Sequence, residues 1–289
     1  MIVRYISSKH ILHCASSVID LWYQRERNRV TRLFELDLST IAILTVIGFI
    51  SAFIDSCVGG GGLISLPALL GLGIDPYYAL GTNKMAGTMS SATSSMTFIS
   101  LGKYDRKLMT ILFPVSFAGA LIGAKTVLFI PPEVLRILVI VMMALIFVYT
   151  LVNKKFGREA RFKGITPITL GWGIPLTFLI GFYDGFFGPG TGSFFVFLMV
   201  LLFGFDFVIG AGNGRILNFA SNLAALLVFI LEGKLIFLTG LTMGIAMLAG
   251  ASLGARVAVK TGVRYVRPLF LIVSISLISK MVYELIFSS

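Results

Sequence analysis

The sequence predicts an all-α, polytopic membrane protein. Hydrophobic residues make up 57% of the 289 positions and charged residues 13%, whereas a soluble domain carries about 25% charge. From Asp37 to Gly102 the charged side chains are Asp37, Asp55, Asp75 and Lys84. Such a stretch holds several apolar runs near the ~20 residues that a transmembrane helix needs. A transmembrane β-barrel would instead alternate apolar and polar residues.

Ten apolar runs, bounded by glycine, proline or charge, predict the helices. The first five lie near 38–57, 62–72, 76–101, 107–129 and 133–152. The other five lie near 165–186, 191–204, 206–231, 235–258 and 265–287. The predicted organisation is a basic N-terminal arm at 1–37, a first membrane repeat at 38–152, a cytoplasmic linker at 153–164 and a second membrane repeat at 165–289.

The two series of runs match in sequence, which indicates an internal duplication. At a shift of 129 residues, the matches join Phe49, Phe53, Asp55, Gly59 and Gly61 to Phe178, Phe182, Asp184, Gly188 and Gly190. After one short gap the shift is 131, and the matches include Gly81 with Gly212, Ser90 with Ser221, and Lys103 with Lys234. One gap accounts for all of these matches, so we infer two tandem repeats.

The second run of each repeat is shorter than a membrane span, which predicts broken or re-entrant helices. If neither short run crosses, the repeats are parallel, there are about eight full spans, and both termini are cytoplasmic. We expect this arrangement because it places the basic arm and linker inside. It would leave Lys260, Arg264 and Arg267 outside, which counts against it. If both short runs cross, the repeats are inverted.

The net charge of +11 reflects topology rather than a nucleic-acid partner. Basic residues concentrate in the arm and the linker, next to apolar runs, which is typical of cytoplasmic segments. A nucleic-acid-binding protein would need a solvated basic face with base-reading groups. The histidines, His10 and His13, both lie in the arm, and the two cysteines are Cys14 and Cys57. We therefore predict no metal site, no cofactor and no disulfide framework.

An acidic residue followed by a glycine cluster interrupts the same apolar run in each half. The first cluster follows Asp55 and comprises Gly59, Gly60, Gly61 and Gly62; the second follows Asp184 and includes Gly188 and Gly190. Lipid tolerates neither a charge nor open backbone unless both face protein or water. Glycine backbone can turn its N–H groups toward an anion, and a helix starting there would add its positive end. The alternative is that the glycines only permit close helix packing.

Lys84 and Arg215 occupy matching positions within apolar runs. Inserting a basic residue into a membrane span costs about 2.5–3.5 kcal/mol of free energy. Three interpretations stay open. The two cations bind an anionic substrate, one from each half; or they form structural ion pairs with Asp184 and Asp55; or each acid pairs with a base in the empty site and releases it when the anion binds. The two aspartates are also candidates for carrying coupling protons.

Polar residues on one helix of each half complete the predicted site. The substrate-binding residues that we predict are Asp55, Gly59, Gly60, Gly61, Gly62, Asn83, Lys84, Asp184, Gly188, Gly190, Asn213, Arg215, Asn218 and Asn222. Amides and hydroxyls suit oxyanions, but they also hold membrane helices together. The repeated Gly-x-x-x-Gly pairs, Gly119 with Gly123 and Gly250 with Gly254, are predicted packing motifs.

At these residues the chain resembles the TauE/SafE family of membrane permeases, also called the sulfite exporter family. The resemblance rests on residues 48–67, Thr82-Asn83-Lys84, residues 181–194 and residues 218–234, and it covers about 40–287. It is similar in particular to the branch of "probable membrane transporter" proteins. The resemblance implies a multi-pass permease of the bacterial inner membrane, with sulfite, sulfonates or related organosulfur compounds as substrates.

We therefore predict a secondary transporter of a small anion that works by alternating access between two repeats, with membrane lipid as its surroundings. An intramembrane enzyme would need a nucleophile–base pair or a metal set, and no histidine lies in the apolar runs. A membrane scaffold or sensor would not need paired charges in the membrane. The chain has no P-loop, so we do not expect it to drive transport with ATP by itself.

Overall fold

The computed structural model describes residues 37–135, 137–138, 141 and 164–261, and the regular secondary structure in these ranges is helical. The described helices of ten or more residues are α1 (Leu38–Val58), α2 (Gly62–Gly71), α3 (Pro76–Ser100), α4 (Arg106–Val127), α5 (Pro167–Phe186), α6 (Thr191–Leu201), α7 (Phe207–Leu231) and α8 (Phe237–Thr261). The all-α prediction is confirmed. The predicted arm, most of the run at 133–152, most of the linker and the run at 265–287 lie outside the described residues.

Four described helices are long and apolar enough to cross a membrane: Leu38–Cys57, Arg106–Val127, Phe207–Leu231 and Phe237–Lys260. The helices α3 and α5 have 25 and 20 residues and carry charged side chains. The helices α2 and α6 have 10 and 11 residues, as the two short runs predict. At 1.5 Å per residue, α2 and α6 reach about half-way across a bilayer.

The long helices α3 and α7 begin in the same way. Asp75 caps α3 by accepting a hydrogen bond from Tyr77 N (3.0 Å), and Asp206 caps α7 by accepting one from Val208 N (2.9 Å). A side-chain carboxylate satisfies backbone N–H groups that have no partner within the first helical turn. Each cap therefore fixes the start of a full-length helix shortly after a short one has ended.

The Gly-x-x-x-Gly motifs form close contacts between helices. A Cβ added at Gly119 or Gly123 would lie 2.3 or 2.0 Å from a carbonyl oxygen of α5, and one at Gly250 or Gly254 would lie 2.2 or 2.3 Å from a carbonyl oxygen of α1. Residue numbers rise together along both contacts, so α4 is parallel to α5 and α8 is parallel to α1. The packing role predicted for these glycines is confirmed, because any side chain would push the backbones apart.

The central helices α3 and α7 are antiparallel. Gly81, near the start of α3, lies against the carbonyl oxygen of Lys234 beyond the end of α7, at 1.9 Å from an added Cβ. Gly212, near the start of α7, lies against the carbonyl oxygen of Lys103 beyond the end of α3, at 1.8 Å. Parallel repeats would give matching helices the same direction, so the expected parallel arrangement is wrong.

The helix α8, from the second predicted half, runs parallel to α3, from the first, and contacts it. Ile236 N donates a hydrogen bond to Thr82 Oγ1 (3.0 Å), and further along both helices Gly244 contacts the Met89 side chain. The matching contact joins α4 to α7, where Asp105 N donates to Asn213 Oδ1 (2.8 Å). Each half thus supplies the helix that supports the central helix of the other.

Candidate functional site

Two glycine-rich breaks, between α1 and α2 and between α5 and α6, meet inside the helix bundle. Gly59, Gly60, Gly188 and Gly190 have φ of 81°, 95°, 101° and 84°, a region that residues with a side chain rarely adopt. A Cβ added at Gly59 would lie 2.2 Å from the backbone nitrogen of Ser193, in the first turn of α6 that follows the opposite break. Glycine is therefore needed both for the bend in each chain and for the contact between the two bends.

The short helices α2 and α6 begin at this meeting point. Gly61 and Gly62, at the start of α2, and Gly190 and Gly192, around the start of α6, line the same cavity. The first N–H groups of a helix have no partner within it, and they carry the positive end of its dipole. The two helix N-termini therefore each contribute positive potential at the cavity.

The first ion pair joins α3 to α5. Lys84 Nζ lies 3.0 Å from Asp184 Oδ1, and the two side chains are 1% and 2% exposed. Gly188 lies over this pair, since a Cβ there would be 2.8 Å from Lys84 Nζ. Both charged residues line the cavity, so this pair is in a position to meet a ligand.

The second ion pair joins α7 to α1. Arg215 Nη1 lies 2.5 Å from Asp55 Oδ2, and the two side chains are 1% and 17% exposed. Asp55 Oδ1 accepts a second hydrogen bond from Gly61 N (2.9 Å). Gly192 lies directly over the guanidinium, because a Cβ there would be 2.1 Å from Arg215 Nη2. Asp55 lines the cavity and Arg215 does not.

Between the two pairs is a polar cavity of about 40 Å³. The predicted site residues that line it are Asp55, Gly61, Gly62, Asn83, Lys84, Asp184, Gly188, Gly190, Asn218 and Asn222. The structure therefore brings residues from both predicted halves to one place. The ion pairs required by two of the three open interpretations are present, Lys84 with Asp184 and Arg215 with Asp55.

Four predicted residues lie outside the cavity lining: Gly59, Gly60, Asn213 and Arg215. Gly59 packs against the second glycine break, and Asn213 holds the backbone of Asp105. Asn213 and Thr82 are matching positions, and each binds the backbone at the start of a helix in the other half. In the described part of the chain, the contacts of Asn213 and Thr82 hold helices together outside the cavity lining.

Sequence reasoning missed cavity residues whose signal is weak or absent. Ser51 precedes Asp55 by one helical turn, and its hydroxyl donates to Gly61 O (2.8 Å); its spacing from Asp55 could have identified it. Ser65 donates to Asn83 Oδ1 (2.6 Å). Gly87 and Met247 reach the cavity from α3 and α8, and nothing in their local sequence distinguishes them from packing residues.

Two polar atoms in the cavity lining have no hydrogen-bond partner among the described residues: Ser90 Oγ and Asp184 Oδ2. Buried polar atoms normally have a partner, because leaving one without costs free energy. Both atoms are therefore available to a ligand. No group of three or more histidine, cysteine, aspartate or glutamate residues that could hold a metal ion occurs in the described ranges.

These features define a class of protein. It is a helical membrane protein in which interrupted helices from two halves meet around a buried cavity with paired charges, the arrangement of substrate sites in secondary transporters. The family described as Sulfite exporter TauE/SafE matches residues 44–281, and the chain belongs to that family.

Relatives from several bacteria agree with this membership. The chain is 37% identical over 243 residues to the "Probable membrane transporter protein ORF9" of a Sinorhizobium species, covering 84% of this chain and 92% of the relative. It is 33% identical over 256 residues to the "Probable membrane transporter protein YfcA" of Escherichia coli K12, covering 87% and 93%. It is 33% identical over 250 residues to a "Probable membrane transporter protein" of Haemophilus influenzae, covering 86% and 97%. No solved structure matches the chain.

Proposed function

We propose that the protein is a secondary transporter of a small anion, and that the cavity between the two glycine breaks is its substrate site. One observation carries the proposal: two buried ion pairs and the N-termini of two short helices converge on a single polar cavity. Helix N-termini attract anions, and lysine adds a full positive charge. The transporter names of the relatives support the same function.

The size of the cavity favours a compact substrate. About 40 Å³ accommodates a small ion or a few water molecules rather than a bulky organic molecule. Sulfite or the head group of a sulfonate is of this class, and the family description supports an organosulfur substrate. A larger sulfonate would require the two halves to separate.

We propose inverted repeats as the basis of alternating access. The antiparallel pair α3 and α7 supports an inverted relation, as do the reciprocal contacts of α4 with α5 and α8 with α1. Rocking of one repeat against the other around a fixed midplane site would then expose it to each side in turn.

We also propose which side of the membrane each helix end faces, on the basis of the helix directions. The end of α3, the starts of α4 and α5, and the end of α8 lie on one side, which carries Lys103, Arg106, Lys107 and Lys260. In sequence, α5 directly follows the basic linker. The positive-inside rule makes this side cytoplasmic, in the inner membrane of a bacterium.

A binding panel tests the proposal. Sulfite, methanesulfonate, sulfate and acetate would be added to the purified protein and its melting temperature recorded, since a ligand stabilises the state that it binds. Lys84→Gln should reduce the stabilisation strongly at the same anion concentration. The matched control Lys125→Gln, at an exposed lysine of α4, should retain it.

Flux separates transport from the alternatives. In proteoliposomes, the anion that stabilises the protein should cross the membrane in the wild type and in Lys125→Gln, and not in Lys84→Gln. Binding without flux would favour a sensor or scaffold, and the absence of binding by every anion would contradict the proposed site.

A further inference from the structure

Asp184 is the acidic group of the cavity with the fewest contacts. Its Oδ1 binds Lys84 Nζ at 3.0 Å, while its Oδ2 has no hydrogen-bond partner among the described residues. We propose that Asp184 is the proton-coupling group of the protein: the anion displaces it from Lys84, and Asp184 then takes up one proton. This inference rests on the proposed anion transport and adds the ion that accompanies the substrate.

Charge balance carries the argument. Lys84, Arg215, Asp184 and Asp55 sum to zero, so the cavity is neutral without a ligand. A bound monoanion would leave one negative charge without compensation in a site enclosed by the helix bundle. Burying an unpaired charge is strongly unfavourable, and the usual outcome is that the group becomes neutral. A proton on one aspartate restores the balance.

Geometry selects Asp184 rather than Asp55. Both oxygens of Asp55 already have partners, Gly61 N on Oδ1 and Arg215 Nη1 on Oδ2. Arg215 is confined beneath Gly192 and cannot turn away without moving the start of α6. Lys84 is different, because the end of its flexible side chain lines the cavity and has one carboxylate contact. An anion that binds Lys84 therefore removes the single charged partner that Asp184 has.

The neighbouring titratable groups leave this role to Asp184. The titratable side chains that line the cavity or interact with its charged groups in the described chain are Lys84 from α3, Asp55 and Cys57 from α1, Arg215 from α7 and Tyr183 from α5. The Cys57 thiol donates to Gly254 O (3.1 Å). Arg215 and Asp55 neutralise each other. The Tyr183 hydroxyl donates to Pro189 O (2.7 Å) and is occupied by that contact.

The proton balance of the step is simple. A proton from water binds Asp184 Oδ2, and the negative charge of the substrate takes the place of the carboxylate at Lys84. When the anion leaves on the other side of the membrane, the proton leaves too, and the pair of Lys84 and Asp184 forms again. One monoanion therefore moves with one proton and no net charge, whereas a dianion would carry one negative charge.

The test measures proton uptake on binding. Methanesulfonate and nitrate are suitable probes because their charge does not change over roughly pH 5 to 8. Binding that takes up one proton should strengthen about tenfold for each unit that the pH falls. Calorimetry of the wild type in two buffers of different ionisation enthalpy should give one proton taken up per anion bound, and this measurement needs no variant.

Asp184→Asn should bind the same probes with an affinity that is independent of pH. The control is Asp75→Asn, which lies outside the cavity and keeps a side chain that caps α3; it should retain the pH dependence. Binding of either probe by the wild type without proton uptake would overturn this inference and leave anion transport intact. If neither probe binds while sulfite or sulfate does, the inference of proton coupling to a monoanion is wrong. If no anion binds at all, the proposed function fails as well.

Discussion

The two ion pairs occupy matching positions in the two halves but have different surroundings. Lys84 and Asp184 both line the cavity, and they share one contact. Arg215 is outside the lining and is held by Asp55, whose second oxygen is fixed by Gly61 N. The same pattern of acid and base thus produces one pair in which both charges line the cavity and one in which only the acid does.

One small residue accounts for much of the difference. Gly192 makes room for the guanidinium of Arg215, and the matching position in the first half is Leu63. Arginine is planar with five fixed donors, whereas lysine is a compact charge on a flexible stem. We infer that the second half supplies a rigid support for the cavity and the first half supplies its adjustable cation.

The largest expected effect is on stability, when the ion pair of Arg215 with Asp55 is broken. Arg215→Gln should lower the free energy of unfolding by about 3–5 kcal/mol, because the pair is buried and Asp55 loses its partner. Partial exposure of Asp55 places the value toward the lower end. Adding Asp55→Asn should recover most of the melting temperature. A single variant with an unchanged melting temperature would show that the pair is not a support.

The cavity pair should respond in binding more than in stability. Lys84→Gln should weaken anion binding about tenfold or more, since a charge-assisted hydrogen bond contributes roughly 1.5–3 kcal/mol. Its melting temperature should fall less than that of Arg215→Gln, because Lys84 reaches the cavity with a flexible side chain, whereas Arg215 is enclosed beneath Gly192. Isothermal titration with the stabilising anion checks this. Recovery of both stability and transport in Lys84→Gln with Asp184→Asn would mean that the cation does not touch the substrate.

The two glycine breaks offer a third comparison. Gly59→Ala and Gly188→Ala both force a left-handed backbone on a residue with a side chain, at about 1–3 kcal/mol. The new Cβ at Gly59 would meet backbone at 2.2 Å, but at Gly188 it would meet the movable end of Lys84 at 2.8 Å. Gly59→Ala should therefore lower the yield of folded protein, and Gly188→Ala should weaken anion binding. Size-exclusion profiles and binding assays distinguish these outcomes.

The sequence predicts the helices and the ion-pair partners well because each depends on local pattern. Apolar runs bounded by glycine, proline or charge locate helices α1 to α8. The ion pairs follow because a charge buried in the membrane needs a partner of opposite sign. The sequence match of Asp55 with Asp184 also locates the two glycine-rich breaks that meet inside the helix bundle.

The relative direction of α3 and α7 and the asymmetry of the site could not be predicted in the same way. Whether α3 and α7 are parallel depends on contacts such as Gly81 with Lys234 and Gly212 with Lys103, which lie more than 100 residues apart. The positive-inside rule did not decide it, because the arrangement that places the basic arm and linker inside leaves Lys260, Arg264 and Arg267 outside. The separation of Arg215 from the cavity depends on Gly192, whose role appears only when the guanidinium is placed against it.

The smallest expected difference between the halves concerns the caps of the central helices. Asp206 Oδ1 accepts hydrogen bonds from Val208 N (2.9 Å) and Ile209 N (3.1 Å), while Asp75 Oδ1 accepts one from Tyr77 N (3.0 Å). Asp206→Ala should cost about 1 kcal/mol, and Asp75→Ala should cost less, because fewer N–H groups lose their partner. Asn replacements at the same positions serve as controls, since asparagine caps helices as well as aspartate does. Thermal unfolding in detergent measures both, and an equal loss at Asp75 and Asp206 would show that the two caps contribute alike.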